Sequence, residues 1–343
     1  MRDALRSPLA RVWLPVLAAA GVVATLDRRS DAGDLLYFVH QGERLLSARW
    51  TDTFADPTLQ SGPLQLLLTG TARSTEVLAY VVELGVAALL LFVLGRIGLS
   101  MRWRAALGLA AVAVGLTHGA FVDGHPADAV SPLIWVLAAL EARRGRPLRA
   151  GALIGLSAGL ELWGLLGVSV LLLAPRLREA VKGWAMQVAV VIALFAPFVL
   201  AGKFRMFDYE WRVAHGTALS LVVAPGTHFG WPLRLLQAGV GCALGAVLAR
   251  RLRSSLHAVW LVPLSVALAR IVLDPLAYGW YWLEVLALVL VGAAAIASAL
   301  VVEGGEVRVQ QVLAEEQGDD RAEREERAER HAHLAPRLSV TRE

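Results

Sequence analysis

One cysteine, Cys242, stands in 343 residues, so no disulfide closes within the chain and the redox state of its compartment leaves no mark on the sequence. No small-residue cleavage site follows the first apolar run, which reads as a retained span rather than a removable leader. No glycine-rich loop follows a strand, which excludes the common nucleotide-phosphate cradles. No spacing of His, Cys and acidic residues calls for a metal. The two halves show no repeat, which counts against a transporter built from inverted repeats. Charge is scarce too: 18% of residues are charged against 57% apolar. A mean hydropathy of +0.56 excludes a soluble domain of this length.

What is present is a polytopic membrane chain. The net charge of +4 does not point to nucleic acid, because the arginines sit in short clusters between apolar runs, where they report orientation. Runs of the roughly 20 residues needed to cross a bilayer occupy about 9–26, 76–95, 105–121, 184–200, 232–249, 257–272 and 281–302. The shorter run 128–142 has Asp128 and Glu141 as interfacial ends. Run 150–175 as one helix would reach roughly 39 Å. Arg143, Arg144, Arg146 and Arg149 precede it and Arg176, Arg178 and Lys182 follow it, so both its ends belong in the cytoplasm. A hairpin bending near Glu161-Leu162-Trp163-Gly164 satisfies this, with arms of roughly 13 residues, about 20 Å each.

With that hairpin every basic cluster falls on one side: Arg2, Arg6 and Arg11; Arg96, Arg102 and Arg104; Arg250, Arg251 and Arg253. The expectation is an all-α protein of the cell membrane with about ten spans and both termini cytoplasmic. Its external segments are 27–75, 122–127, 201–231 and 273–280. Residues 1–302 form the membrane domain, and 303–343 is a charged cytoplasmic tail, a solvated helix or disordered.

The large first external loop carries Ser30-Asp31-Ala32-Gly33-Asp34-Leu35-Leu36-Tyr37. Leu35, Leu36, Val39, Leu45 and Leu46 approximate a helical apolar stripe opposite Gln41, Glu43, Arg44 and Arg49, the pattern of an amphipathic helix in the interface plane. Asp34 at its start serves as a helix cap, as a reactive carboxylate near the headgroups, or as both.

Elsewhere, Asp123-Gly124-His125-Pro126-Ala127-Asp128 is an acid-histidine cluster in which His125 suits a phosphate or acceptor and Asp128 suits a helix start. Lys203, Arg205 and Arg212 break the positive-inside trend and fit either headgroups or a substrate phosphate. Arg270 and Asp274 stand four apart and pair if the helix continues, while Asp274, Tyr278 and Tyr281 fit a sugar pocket. Trp211, Trp231, Trp280 and Trp282 can stack on a sugar face, but the interfacial belt is the preferred reading for any one of them. Glu83, Glu161 and Arg270 lie in or near apolar runs, where charge faces a cavity or a partner.

Asp34-Leu35-Leu36-Tyr37, then Leu45-Leu46-Ser47-Ala48, Phe54-Ala55-Asp56-Pro57 and Ser61-Gly62-Pro63-Leu64, resemble the first external loop of the C-type glycosyltransferases. The chain looks most like the bacterial polyprenol-phosphate-mannose-dependent mannosyltransferases. Ala150-Gly151-Ala152-Leu153-Ile154-Gly155-Leu156 with Trp163 and Ala174-Pro175 is similar to the short hairpin of these enzymes. The likeness runs over about 9–302, and Glu161 stands where related chains often carry lysine.

The resemblance implies transfer of a sugar from a polyprenyl-phosphate donor to a lipid or glycan acceptor at the outer face, amid membrane lipids, without nucleic acid, metal or cofactor. Asp34 is the expected general base, with Asp31 second. His125, Asp128, Glu161, Lys203, Arg205, Arg212, Asp274, Tyr278 and Tyr281 are the expected donor and acceptor contacts. A transporter or flippase for a lipid-linked glycan, and a non-catalytic scaffold of the same fold, are the other classes.

Overall fold

The computed structural model describes residues 8–303. Expectations for Arg2, Arg6 and the tail after Glu303 lie outside the described residues. The chain divides into two compact units, Met1–Ala295 and Ile296–Glu343. The candidate site lies in the first.

The described residues are helical almost throughout, as the composition requires. Their α-helices are α1 Pro8–Asp27, α2 Leu35–Leu45, α3 Pro63–Ala72, α4 Thr75–Arg96, α5 Met101–Ala113, α6 Leu116–Val122, α7 Pro126–Arg143, α8 Pro147–Leu160, α9 Leu177–Ala201, α10 Trp231–Arg251, α11 Ala258–Val272 and α12 Trp282–Glu303. Proline opens α3, α7 and α8, where its missing N–H costs nothing and its fixed φ suits the first turn. Ser74 caps α4 by accepting from the Val77 amide.

Five helical stretches, in α1, α4, α9, α10 and Gly279–Ala299, are long and apolar enough to cross a membrane. The sixth is the expected span 105–121, and it is not straight. It breaks into α5 and α6, bent by 40°, at Gly115, whose φ of 83° belongs to the left-handed region that glycine enters freely. The outer faces of α9 and α10 expose Leu177, Trp184, Ile192, Leu200, Leu235 and Leu244, a breadth of apolar surface that marks a membrane protein. The inner face of α1 packs Val12, Val16 and Ala20 on Ala87, Leu91 and Val112.

The run 150–175 folds back on itself. The helix α8 ends at Glu161, which is extended at φ −144°, ψ 142°, and Leu162–Leu173 returns as a 3₁₀ helix packed on α8. The two arms, 14 and 12 residues long, reach roughly 21 and 24 Å, because a 3₁₀ helix rises about 2.0 Å per residue against 1.5 Å in an α-helix. At the tip, the Gly62 amide donates to Leu160 O at 2.6 Å and Ser61 bridges Glu161. The first loop therefore sits on the hairpin bend.

The helix α2 lies on α3, with Gly42 against Gly70: a Cβ on either glycine would come within 2.4 Å of the other's backbone. That close approach rotates α2 relative to the expected stripe. Phe38, Gln41 and Gly42 join Leu35 and Val39 in the buried face, while Leu36 and Leu46 are about half exposed.

The two ends of the bundle differ in charge. At the far end of α7, Glu141 pairs with Arg96 at 2.8 Å, Arg144 at 3.2 Å and Arg146 at 3.8 Å. There Arg143 donates to Ser255 O, and Arg253 donates to the carbonyls of Ala174 and Pro175 that close the hairpin. His125 stands at the other end of α7, 18 residues and so roughly 27 Å away.

Candidate functional site

His125 is the N-cap residue of α7 by position, without a capping hydrogen bond from its side chain, and is the hub of a charged cluster. Its Nε2 lies 3.1 Å from Asp34 Oδ2 and its Nδ1 3.5 Å from Glu161 Oε1. Three loops meet to make this arrangement. Gly124, at φ 81°, packs so tightly on the turn before α2 that a Cβ there would fall 2.4 Å from the Asp34 amide. The hairpin bend delivers Glu161. Trp280 closes one face of the imidazole, stacked at 4.6 Å between centroids, and Phe38 meets it edge-on at 6.0 Å. Tyr278 stacks behind Trp280 at 4.0 Å.

The three side chains differ in exposure. His125 is 15% and Glu161 11% exposed, while Asp34 is 62% exposed. The imidazole is thus shielded and one carboxylate of its pair faces outward. Asp34 is the N-cap of α2 by position but makes no capping hydrogen bond with its side chain. Its partner is His125.

The electrostatics follow from this geometry. Burial works against the imidazolium. Hydrogen bonds to Asp34 and Glu161, with the negative charges of Glu161 and Asp128, outweigh it and push His125 up to about 10. The same hydrogen bond from His125 holds the Asp34 carboxyl below its ordinary value. At neutral pH the site holds an imidazolium paired with the Asp34 carboxylate.

A second layer lies beneath. Asp128, in the first turn of α7 and 1% exposed, accepts from Arg270 Nη1 at 3.2 Å. Arg270 also pairs with Glu284, and its guanidinium lies over Trp163 at 4.1 Å and Tyr281 at 4.6 Å. The expected pairing of Arg270 with Asp274 is therefore replaced: two buried carboxylates from other helices compete for the guanidinium and win it. Asp274 instead accepts from the Leu276 amide at 3.1 Å and Tyr281 Oη at 3.3 Å. Burial pushes its carboxyl up, against the pull of Arg270. Trp163 Nε1 donates to Glu161 and links the two layers.

His125, Asp128 and Glu161 form the group, among the described residues, whose donor atoms all lie within 4.8 Å of one another. One nitrogen and two carboxylates are a donor set able to hold a divalent cation. In this arrangement those groups are engaged by Asp34, Arg270 and Trp163.

The structure thus gathers Asp34, His125, Asp128, Glu161, Asp274, Tyr278 and Tyr281. It leaves four expected residues apart. Asp31 is exposed on the loop. Lys203 faces Asp52 at 3.9 Å, Arg205 pairs with Asp208 at 2.8 Å, and Arg212 lies exposed in the short antiparallel pair Trp211–Arg212 with His228–Phe229. Trp163 and Glu284 belong to the site without having been singled out for it, and Trp280, preferred as a belt residue, stacks on His125 there. A glutamate inside the apolar run 281–302 was the available signal for Glu284.

Comparison with known protein families, with curated proteins and with solved structures returns no match to this chain.

Proposed function

We propose that the chain is a membrane glycosyltransferase that moves a sugar, taken here as mannose, from a polyprenyl phosphate to a lipid or glycan acceptor at the external face. The observation that carries this reading is the outward-facing Asp34 carboxylate, held by His125 and backed by Glu161, beside the stacked rings of Trp280 and Tyr278.

A sugar hydroxyl is a poor nucleophile, and a carboxylate within hydrogen-bond reach takes its proton as the bond to the anomeric carbon forms. Asp34 is that base. Its lowered affinity for protons makes transfer late, as the hydroxyl acidifies on bonding to carbon. The imidazolium of His125 then stabilises the carboxylate before transfer and fixes its orientation. Aromatic faces stack on apolar sugar faces, a role that suits Tyr278 and Trp280. The leaving polyprenyl phosphate needs cations and little covalent help. Lys203 and Arg205, whose ion pairs with Asp52 and Asp208 are exposed, and the exposed Arg212 are the cations assigned to it, although they stand apart from the His125 cluster. With a β-linked donor the transfer inverts the anomeric centre.

In this reading the shorter helices α7, α8, the 3₁₀ arm and α11 complete ten spans. The arginine-rich end of α7 lies in the cytoplasm with both termini, and His125 lies outside. The charge difference between the two ends of the bundle supports that orientation.

A transporter or flippase for a lipid-linked glycan is the second reading. Glu83, fully buried in α4, favours it, because intramembrane charge commonly marks an ion path. The deciding experiment presents purified protein with labelled polyprenyl-phosphate-mannose, and with its glucose and arabinose analogues, using total membrane lipid as acceptor. Transfer by wild type that disappears in Asp34→Asn establishes the enzyme. Absence of transfer from every donor, with donor binding intact, gives the second reading the field.

A further inference from the structure

Glu83 lies nine positions into α4, fully buried, and neither of its carboxylate oxygens makes a well-formed hydrogen bond. Its polar neighbours come from two other elements: Asp27 at the end of α1, and Thr117 at the start of α6. Thr117 is also fully buried, and its hydroxyl likewise lacks a well-formed partner. Asp27 is 8% exposed and contacts His118 Nδ1 at 2.6 Å through Oδ2. The His118 side chain is 50% exposed. Tyr80, one turn before Glu83, is occupied with Thr25 at 3.1 Å. Among the described residues, Asp27 is the charged group acting on Glu83.

Two carboxyl groups that face each other in an apolar interior do not both stay ionised, and without a buried cation beside them one takes a proton. We propose that Glu83 and Asp27 form an intramembrane binding site for a single shared proton, loaded from the surface through His118. A proton on Glu83 satisfies the cluster at once. The Glu83 hydroxyl donates to Asp27, Thr117 donates to the remaining Glu83 oxygen, and Asp27 keeps its contact with His118. A metal cation fits less well. The cluster offers few oxygens, one of the Asp27 pair already faces His118, and hard cations take fuller oxygen shells.

The break at Gly115 is what allows this. A straight helix through 105–121 would carry Thr117 and His118 around on the rotation of α5, whereas the 40° bend sets α6 independently against α1 and α4. The path from His118 through Asp27 to Glu83 then crosses three elements and ends inside the bundle. It shares no residue with the His125 cluster and does not depend on sugar transfer.

The experiment is labelling of the full-length purified protein in detergent with dicyclohexylcarbodiimide, which reacts with protonated carboxyl groups in apolar surroundings, followed by peptide mass mapping. No sugar donor is present, so the result stands apart from any transferase assay. The expected result is an adduct on Glu83 whose yield rises as pH falls. It is absent in Glu83→Gln, and its midpoint moves to lower pH in Asp27→Asn, which removes the neighbouring negative charge. Glu83 unlabelled at every pH in protein of unchanged melting temperature overturns the proposal. So does labelling that is flat with pH or indifferent to Asp27→Asn. Protection by sodium chloride but not by choline chloride at fixed pH also overturns it, because a metal cation then holds the site.

Discussion

His125 lies flat against Trp280, with ring centroids 4.6 Å apart and planes 6° from parallel. An imidazolium on an indole face gains a cation–π attraction, and Asp34 and Glu161 add charge-assisted contacts at its two nitrogens. The stability consequence has a definite sign. His125 is raised to about 10 in the folded protein, above the roughly 6.5 of an unfolded chain. Its contribution is therefore complete below about pH 6.5 and drains away as pH rises through about 10. The melting temperature of wild type is predicted to fall across that window while His125→Gln gives a flatter profile. Parallel profiles would refute the assignment.

Asp34 supplies the kinetic prediction. Asp34→Asn is expected to lower sugar transfer by about 10²–10⁴-fold, the usual worth of a positioned general base. The melting temperature should fall only modestly below about pH 10, because the 62% exposed Asp34 carboxylate is lost from His125 while Glu161 keeps its contact. The carboxyl is held below its ordinary value by His125, so wild-type activity should persist on the acid side down to below the usual carboxylate range. A rate lost already near neutral pH would assign the base elsewhere.

Arg270 is the buried cation of the second layer. It is 7% exposed and pairs with Asp128 and Glu284, themselves 1% and 0% exposed. Arg270→Met keeps much of the volume but strands two buried carboxylates, and a loss of about 3–5 kcal/mol is expected in denaturant or thermal unfolding. Adding Asp128→Asn and Glu284→Gln should recover part of that loss. A triple variant no better than the single would mean that packing under Trp163, not charge, is what Arg270 provides.

Gly42 tests the first loop. A side chain there meets the Leu66 carbonyl and the Gly70 backbone within 2.4 Å, so Gly42→Val should separate α2 from α3 at a cost of about 1–3 kcal/mol. Because α2 begins one residue after Asp34, transfer should fall more than stability does. The ratio of the two losses, from initial rates and melting temperatures of the same preparation, is the readout.

Much of the architecture was legible because the bilayer imposes it. Apolar run length marks α1, α4, α9, α10 and α12, and the arginines flanking 150–175 require a chain that turns back. Other features were not. Gly115 in an apolar run gives no sign that it will break the helix rather than sit within it. The rotation of α2 depends on Gly70, which is 28 positions away in sequence and invisible to any local periodicity. At the site, Asp34 was readable as a loop carboxylate before an amphipathic helix, His125 and Asp128 as one acid-histidine cluster, and Glu161 as a charge in an apolar run. Their grouping was not, since it needs three loops to converge. Arg270 and Asp274 misled because a four-residue spacing is only permissive. Asp128 and Glu284 offered Arg270 a drier and closer pairing.

The 3₁₀ arm Leu162–Leu173 has a consequence for reach. Three residues per turn stack every third side chain in a straight column, and Gly164, Gly167, Val170 and Leu173 form that column, all buried. Gly167 lies in it because a Cβ there would meet the Trp135 ring at 2.5 Å. Wound as an α-helix, the same twelve residues would span roughly 18 Å instead of 24 Å and the column would spiral off Trp135. The return arm would then be about 6 Å shorter and fall short of the α8 arm it runs beside, so that Ala174 and Pro175 would not come back to Arg253. The tighter coil lets twelve residues run back the length of fourteen.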